Sequence, residues 1–192
     1  MYKTDALKEI ILKKGEVLAF KTDTVWGFGC NPDDNIAIDK IYEIKKRDSK
    51  KPLILMSNNF SHLKKYIKNI PDYAYKLIQK YLPGGLTLIF EKSDLCSLKI
   101  TSGFNTVGIR IPNSPDFSQL IDNIDCKVLA TTSCNISSEE PVKNYKEAIE
   151  KFKDSATIIK PIEDTENKNS PSTVILCENT TYRVIREGKI KL

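Results

Sequence analysis

The sequence predicts one domain of the α/β (α+β) class, and three observations predict it. A chain of 192 residues fits a single domain, here residues 1–192. A hydrophobic fraction of 40% beside 29% charged residues is that of a globular protein with a real core. Short apolar runs of strand length alternate with amphipathic helical patterns, without repeats or a long linker.

Taken in order, residues 6–14 read as an amphipathic helix stopped by Gly15, followed by a buried strand over 17–20. Asp33 and Asp34 can cap a helix whose apolar face uses Ala37, Ile41 and Ile44, at i, i+4 and i+7. Residues 53–56 (LILM) form a short apolar strand, and His62 falls on a surface helix beside Lys64 and Lys65. Pro71 suits the first turn of a helix running to about Leu82. Strands follow at 86–90, 107–111, 128–131, 157–159, 173–177 and 182–185, with helices at 114–121 and 145–152. Residues 163–170 (EDTENKNS) are polar enough for a mobile loop.

Composition excludes several classes of chemistry. There is no G-x-G-x-x-G and no G-x-x-x-x-G-K-[ST] phosphate loop. With one histidine, Ser/His and Cys/His nucleophile schemes have little support, so an enzyme here works through Arg, Lys and hydroxyl groups. The five cysteines are widely spaced, with no C-x-x-C or zinc pattern, which predicts a reduced, cytoplasmic protein. The N-terminus lacks the apolar core and cleavage site of a signal peptide, and no window approaches the ~18 apolar residues of a membrane span. A net charge of +5 permits a nucleotide or RNA partner without demanding one.

Four segments carry hydroxyl or basic groups at strand ends. KTDTVWGFG (21–29) leaves a buried strand with two hydroxyls, a carboxylate and two glycines that allow close backbone approach to a ligand; alternatively it is a capped turn. The basic run 45–51 is either ligand-directed or a solvated helix end facing the dipole. In TVGIRIP (106–112) an arginine interrupts an apolar strand, and a buried charge needs a partner, which a ligand anion would supply. TTSCNIS (131–137) leaves another strand with hydroxyls that bind a ligand or cap a turn.

Taken together with PGGLT (83–87), PSTV (171–174) and IREG (185–188), the order of these motifs resembles the YrdC-like family of threonylcarbamoyl-AMP synthases. The family pattern runs roughly PTDTVYGLG, AKxRPxxxPL, PGPxT, TVGxRxP, TSANxSG, PSTV and LRPG. The resemblance covers nearly the whole chain and is closest to the short, single-domain form.

The resemblance implies a twisted mixed sheet flanked by helices, with a concave basic cavity. It implies an enzyme, a nucleotidyltransferase that joins L-threonine, bicarbonate and ATP, the ATP carrying Mg²⁺, into L-threonylcarbamoyladenylate and pyrophosphate. By resemblance the product serves modification of position 37 in tRNAs reading codons that begin with A, completed by a separate threonylcarbamoyl transferase complex. Matching positions put Lys45 and Arg47 at the ATP phosphates, as catalytic groups, and add Thr106, Ser133, Asn135 and Arg186 to the nucleotide site. Thr24, Arg110, Thr131 and Ser172 match the threonine pocket, with Arg110 facing the substrate carboxylate. No resident metal site is implied.

Departures from the pattern fall on Lys21 and Asp48 (for Pro), Trp26 (for Tyr), Gly85 (for Pro), Cys134 (for Ala) and Glu187 (for Pro). Met56 stands where some members have a His that touches threonine. Cys134 is expected either as a reactive thiol beside the nucleotide or as a small buried apolar group. The competing functions are carbamoyl transfer of the related hydrogenase-maturation type and binding of double-stranded RNA or tRNA.

Overall fold

The computed structural model describes residues 11–46, 48, 50–167 and 170–192. The described strands are β1 (Leu18–Phe20), β2 (Gly27–Cys30), β3 (Ile54–Met56), β4 (Leu86–Glu91), β5 (Thr106–Arg110), β6 (Leu129–Ser133), β7 (Thr157–Ile158), β8 (Thr173–Cys177) and β9 (Tyr182–Arg186). They form one sheet in the order β7-β1-β2-β6-β3-β5-β4-β8-β9. The pairs β1–β7, β3–β5 and β4–β8 are parallel and the remaining pairs antiparallel, so the sheet is mixed.

Helices cover both faces. On one, α1 (Asn35–Lys45), α3 (Asp72–Tyr81) and α6 (Tyr145–Phe152) send Ala37, Ile38, Ile41, Ala74, Ala148 and Phe152 into the larger core, against Phe28, Leu55, Leu88 and Ile109. On the other, α5 (Pro115–Asn123) buries Phe117, Leu120 and Ile121 against Leu18, Phe20 and Met56. The short helices α2 (Phe60–Lys64) and α4 (Leu98–Thr101) lie in connections.

Of the two candidate caps, Asp34 holds α1, accepting from the backbone N–H of Ile36 at 2.9 Å and Ala37 at 3.2 Å. Its other oxygen accepts from Gly15 N–H at 2.5 Å, where Gly15 adopts φ +75°. That turn replaces the expected end of an N-terminal helix: residues 11–13 are irregular, and residues 6–10 lie outside those described. Ser114 caps α5 through Phe117 N–H at 3.3 Å, as a hydroxyl ahead of Pro115 allows.

Strand β2 was not legible because two of its four residues are glycines, which sequence patterns assign to turns. Packing explains them. A Cβ at Gly29 would stand 2.8 Å from Phe20 Cε1, and one at Gly27 would stand 3.1 Å from Phe20 Cε2. The glycines therefore make room for the Phe20 ring across the β1–β2 pair. His62 is half-buried on α2, its Nδ1 3.1 Å from Ser57 Oγ.

The polar stretch 163–167 is tethered. Lys21 Nζ donates to the Glu163 carbonyl at 2.9 Å and to Thr165 Oγ1 at 2.7 Å. Asp164 accepts from Tyr145 N–H at 2.9 Å, and the Asn167 amide donates to the Thr22 carbonyl at 3.0 Å. The lysine that departs from the family's Pro is thus a tether between this stretch and the 21–24 turn.

Candidate functional site

Strand register assembles a cavity of about 400 Å³ on the sheet face that α5 partly covers. Residues i and i+2 of a strand share a face, and cross-strand partners share it too. Thr131 and Ser133 of β6 therefore project together, as do Ile54 and Met56 of β3, and all four line the cavity. The register sets Gly27 beside Ser133, Thr131 beside Ile54, and Met56 beside Arg110. Thr87 of β4 extends this floor; Thr22, Thr24, Asn135, Ser172 and Arg186 form walls.

Arg110 is the charge at the centre, with 2% of its surface exposed. Its Nε–H donates to the Gly84 carbonyl at 3.0 Å, Nη1 to Thr24 Oγ1 at 2.6 Å, and Nη2 to Asp23 Oδ1 at 2.5 Å. Burial lowers the guanidinium's pKa, Asp23 opposes that shift, and the like charge of Arg186 adds to it. A second guanidinium close enough to be felt means that positive charge converges on the cavity. Arg186 donates from Nε and Nη2 to the Ser172 carbonyl, at 3.2 and 2.7 Å, and from Nη2 to Ser172 Oγ at 3.1 Å. Ser172 Oγ lies 2.8 Å from Thr87 Oγ1, and Thr22 Oγ1 lies 3.2 Å from Thr24 Oγ1. These hydroxyl pairs, buried at the ends of three separate chain segments, form a polar lining inside an otherwise apolar sheet face.

The loop after β6 is held from behind. Lys45, at the end of α1 and 1% exposed, donates to the Ser133 carbonyl at 2.5 Å. It also donates to the Asn135 carbonyl and Oδ1, both at 2.9 Å. Asn135 in turn accepts from Ser133 Oγ at 2.5 Å and donates to the carbonyls of Ile136 and Glu139. Lys45 thus fixes the loop that carries Ser133 and Asn135, and is not part of the cavity wall.

Of the residues singled out by sequence, Thr24, Arg110, Thr131, Ser133, Asn135, Ser172 and Arg186 come together around this cavity. Thr106 does not: it opens β5 opposite Glu91, at the far end of that strand from Arg110. Arg47 lies outside the described residues. Sequence reasoning missed Thr22, Asp23 and Thr87 as site residues, although each sits inside a quoted motif. The signal for Asp23 was the buried Arg110 itself, which needs a counter-charge as well as a ligand.

Two departures resolve. Cys134 is buried in the larger core and is not part of the cavity wall; burial pushes its thiol pKa strongly up, with Lys45 and Lys151 opposing. The reactive-thiol alternative is thereby replaced by the packing one. Trp26 lines the cavity while fully buried, and its Nε1 has no partner among the described residues. Among those residues no group of three or more His, Cys, Asp or Glu side chains could hold a metal ion.

A buried guanidinium ringed by hydroxyls, with a second arginine beside it, makes a polar pocket of small-molecule size on the face of a mixed sheet. The Sua5/YciO/YrdC family model, described as "Telomere recombination", matches residues 10–188, and the chain belongs to that family. It is 36% identical over 128 residues to a threonylcarbamoyl-AMP synthase of Pyrococcus abyssi, covering 67% of this chain and 37% of that protein. It is 32% identical over 179 residues to the Vibrio campbellii protein of the same name, covering 92% of this chain and 95% of that one. The crystal structure of P. abyssi Sua5 complexed with L-threonine superposes with a TM-score of 0.84 at 28% identity, over 94% of this chain and 57% of that chain. This chain thus spans little more than half, or less, of the Pyrococcus proteins, and nearly all of the Vibrio one.

Proposed function

We propose that this protein is a threonylcarbamoyl-AMP synthase that converts L-threonine, bicarbonate and ATP into L-threonylcarbamoyladenylate and pyrophosphate. The observation that carries the reading is the cavity where Arg110 and Arg186 converge among Thr24, Thr131, Ser133 and Ser172, in a chain whose relatives bear that name. The threonine-bound relative supports threonine as the amino acid.

The chemistry suits this residue set. Threonine's amine and bicarbonate condense to a carbamate with loss of water; the carbamate is already an anion, and its oxygen attacks the α-phosphorus of ATP and expels pyrophosphate. No histidine base is obligatory at that step; the difficulty lies in holding two anions together and stabilising phosphate charge. In this reading Arg110 receives the threonine carboxylate, with Thr24, Thr131 and Ser172 around it. Ser133, Asn135 and Arg186 face the nucleotide, and Lys45 acts through the loop it fixes. The phosphate contact falls to Arg47, with Mg²⁺ arriving on ATP. The adenylate then passes to a threonylcarbamoyl transferase complex for tRNA modification in the cytoplasm.

Pyrophosphate release from ATP, measured with and without threonine and bicarbonate, tests the reading. Release that needs both co-substrates is expected. Release independent of threonine points to carbamoyl transfer, and no release to an RNA-binding role.

A further inference from the structure

Arg110 has a difficulty as a receiver of anions, because it already faces one. Its Nη2 lies 2.5 Å from Asp23 Oδ1, with 3% and 9% of the two side chains exposed. A one-to-one pair of this kind is nearly neutral and presents little net field to a third charge. Geometrically it still has capacity: three of the guanidinium's five N–H groups are engaged, by Gly84, Thr24 and Asp23, and each terminal nitrogen carries a second N–H.

A second cation reaches the same carboxylate. Lys189 Nζ lies 3.8 Å from Asp23 Oδ2 and donates to the Asp23 main-chain carbonyl at 2.8 Å. Its position is built by the surrounding backbone. Lys189 N–H donates to the Pro171 carbonyl at 2.9 Å, and its aliphatic stem crosses directly over Gly85. A Cβ at Gly85 would stand 3.0 Å from Lys189 Cδ and 3.1 Å from its Cβ, so the glycine found where the family pattern has proline keeps that path open. Lys189 is not part of the cavity wall.

We propose that Lys189 is an electrostatic positioning residue: by sharing Asp23 with Arg110, it leaves the guanidinium with net positive charge for the substrate's carboxylate. The inference rests on the reading of the cavity as a threonine site. Two cations on one carboxylate leave a surplus charge, and Arg110 is the member of the trio that lines the cavity. Lys189 itself touches no ligand. Its side chain is 38% exposed, so its effect is moderate and screened by salt.

The test compares L-threonine with L-threoninamide, which lacks the carboxylate charge, in calorimetric titrations of the native protein, Lys189→Gln and Lys189→Arg. Glutamine keeps a donor for the Asp23 carbonyl and removes the charge. Lys189→Gln is expected to weaken L-threonine about 3-fold at low ionic strength, less at high salt, and to leave threoninamide unchanged. Lys189→Arg is expected to restore native affinity. Native affinity for L-threonine in Lys189→Gln overturns the proposal, as does equal weakening of both ligands, which marks a lysine that merely fastens the C-terminal segment. A native protein that binds no threonine at all refutes the functional reading itself, an outcome separate from either of these.

Discussion

Arg110 faces Asp23, Thr24 and the Gly84 carbonyl at once, so its substitutions separate binding from folding. Truncation to alanine leaves the buried Asp23 carboxylate with Lys189 alone, at 3.8 Å, and is expected to destabilise the fold by about 3 kcal/mol. Arg110→Lys keeps the charge but not the planar fork. Steady-state kinetics of that variant should show the threonine KM raised about 10-fold or more, with the ATP KM little changed. Equal changes in both would mark a purely structural arginine. Cys134 gives the opposite kind of prediction. Its raised thiol pKa and full burial mean that alkylation of the folded protein is slow and indifferent to ATP. Cys134→Ala should stay folded and active, whereas Cys134→Ser, which buries a hydroxyl in the core, should cost about 1–3 kcal/mol in denaturant unfolding. Rapid labelling of the native thiol would contradict this packing.

The element most open to test is α1, because its two ends organise the molecule. At its start, Asp34 fastens the helix to the Gly15 turn. Burial acts to raise this carboxyl's pKa, but the N–H groups of Gly15, Ala37 and Ile36 hold it below the usual value. A depressed folded pKa contributes stability above the unfolded value, about 3.9, and loses it as pH falls through the lower folded one. Asp34→Ala is therefore expected to cost about 1 kcal/mol at pH 7, with the gap to the native protein closing below about pH 4. A gap that persists in acid would mean that the cap works without its charge. At the other end Lys45, the last residue of the helix, reaches to the loop after β6 and ties the end of α1 to the wall of the cavity.

At the scale of the whole molecule, the cavity wall is drawn from parts of the segments 22–27, 52–56, 131–141 and 171–186, with Thr87 and Arg110, spread over most of the sequence. Filling it cross-links segments that the unfolded chain scatters, so ligands binding only the native state must raise its stability. L-Threonine with ATP and Mg²⁺, each at about 100 times Kd, should add about 2.7 kcal/mol per ligand and raise the thermal midpoint by about 5–10 °C for each. A midpoint that stays fixed with either ligand alone and with both would leave the cavity without its proposed occupants.

The sequence by itself determined the fold class, most strands and the longer helices, since hydrophobic period and capping residues act over a few neighbours. It also marked Arg110 and the hydroxyl runs of 21–29 and 131–137, because a charge within an apolar strand and hydroxyls at a strand end are local anomalies, whereas Arg186 and Ser172 were marked by the family resemblance alone. Tertiary structure alone decided what those groups face. The pairing of Asp23 with both Arg110 and Lys189 spans more than 85 residues in each case, and no local pattern encodes it. The β2 glycines answer to the Phe20 ring on the neighbouring strand, and Lys45, one of a basic run, is buried under a loop that begins some 90 residues later. Such contacts are set by strand register and by packing across the sheet, and those physical constraints exist only once the chain has closed on itself.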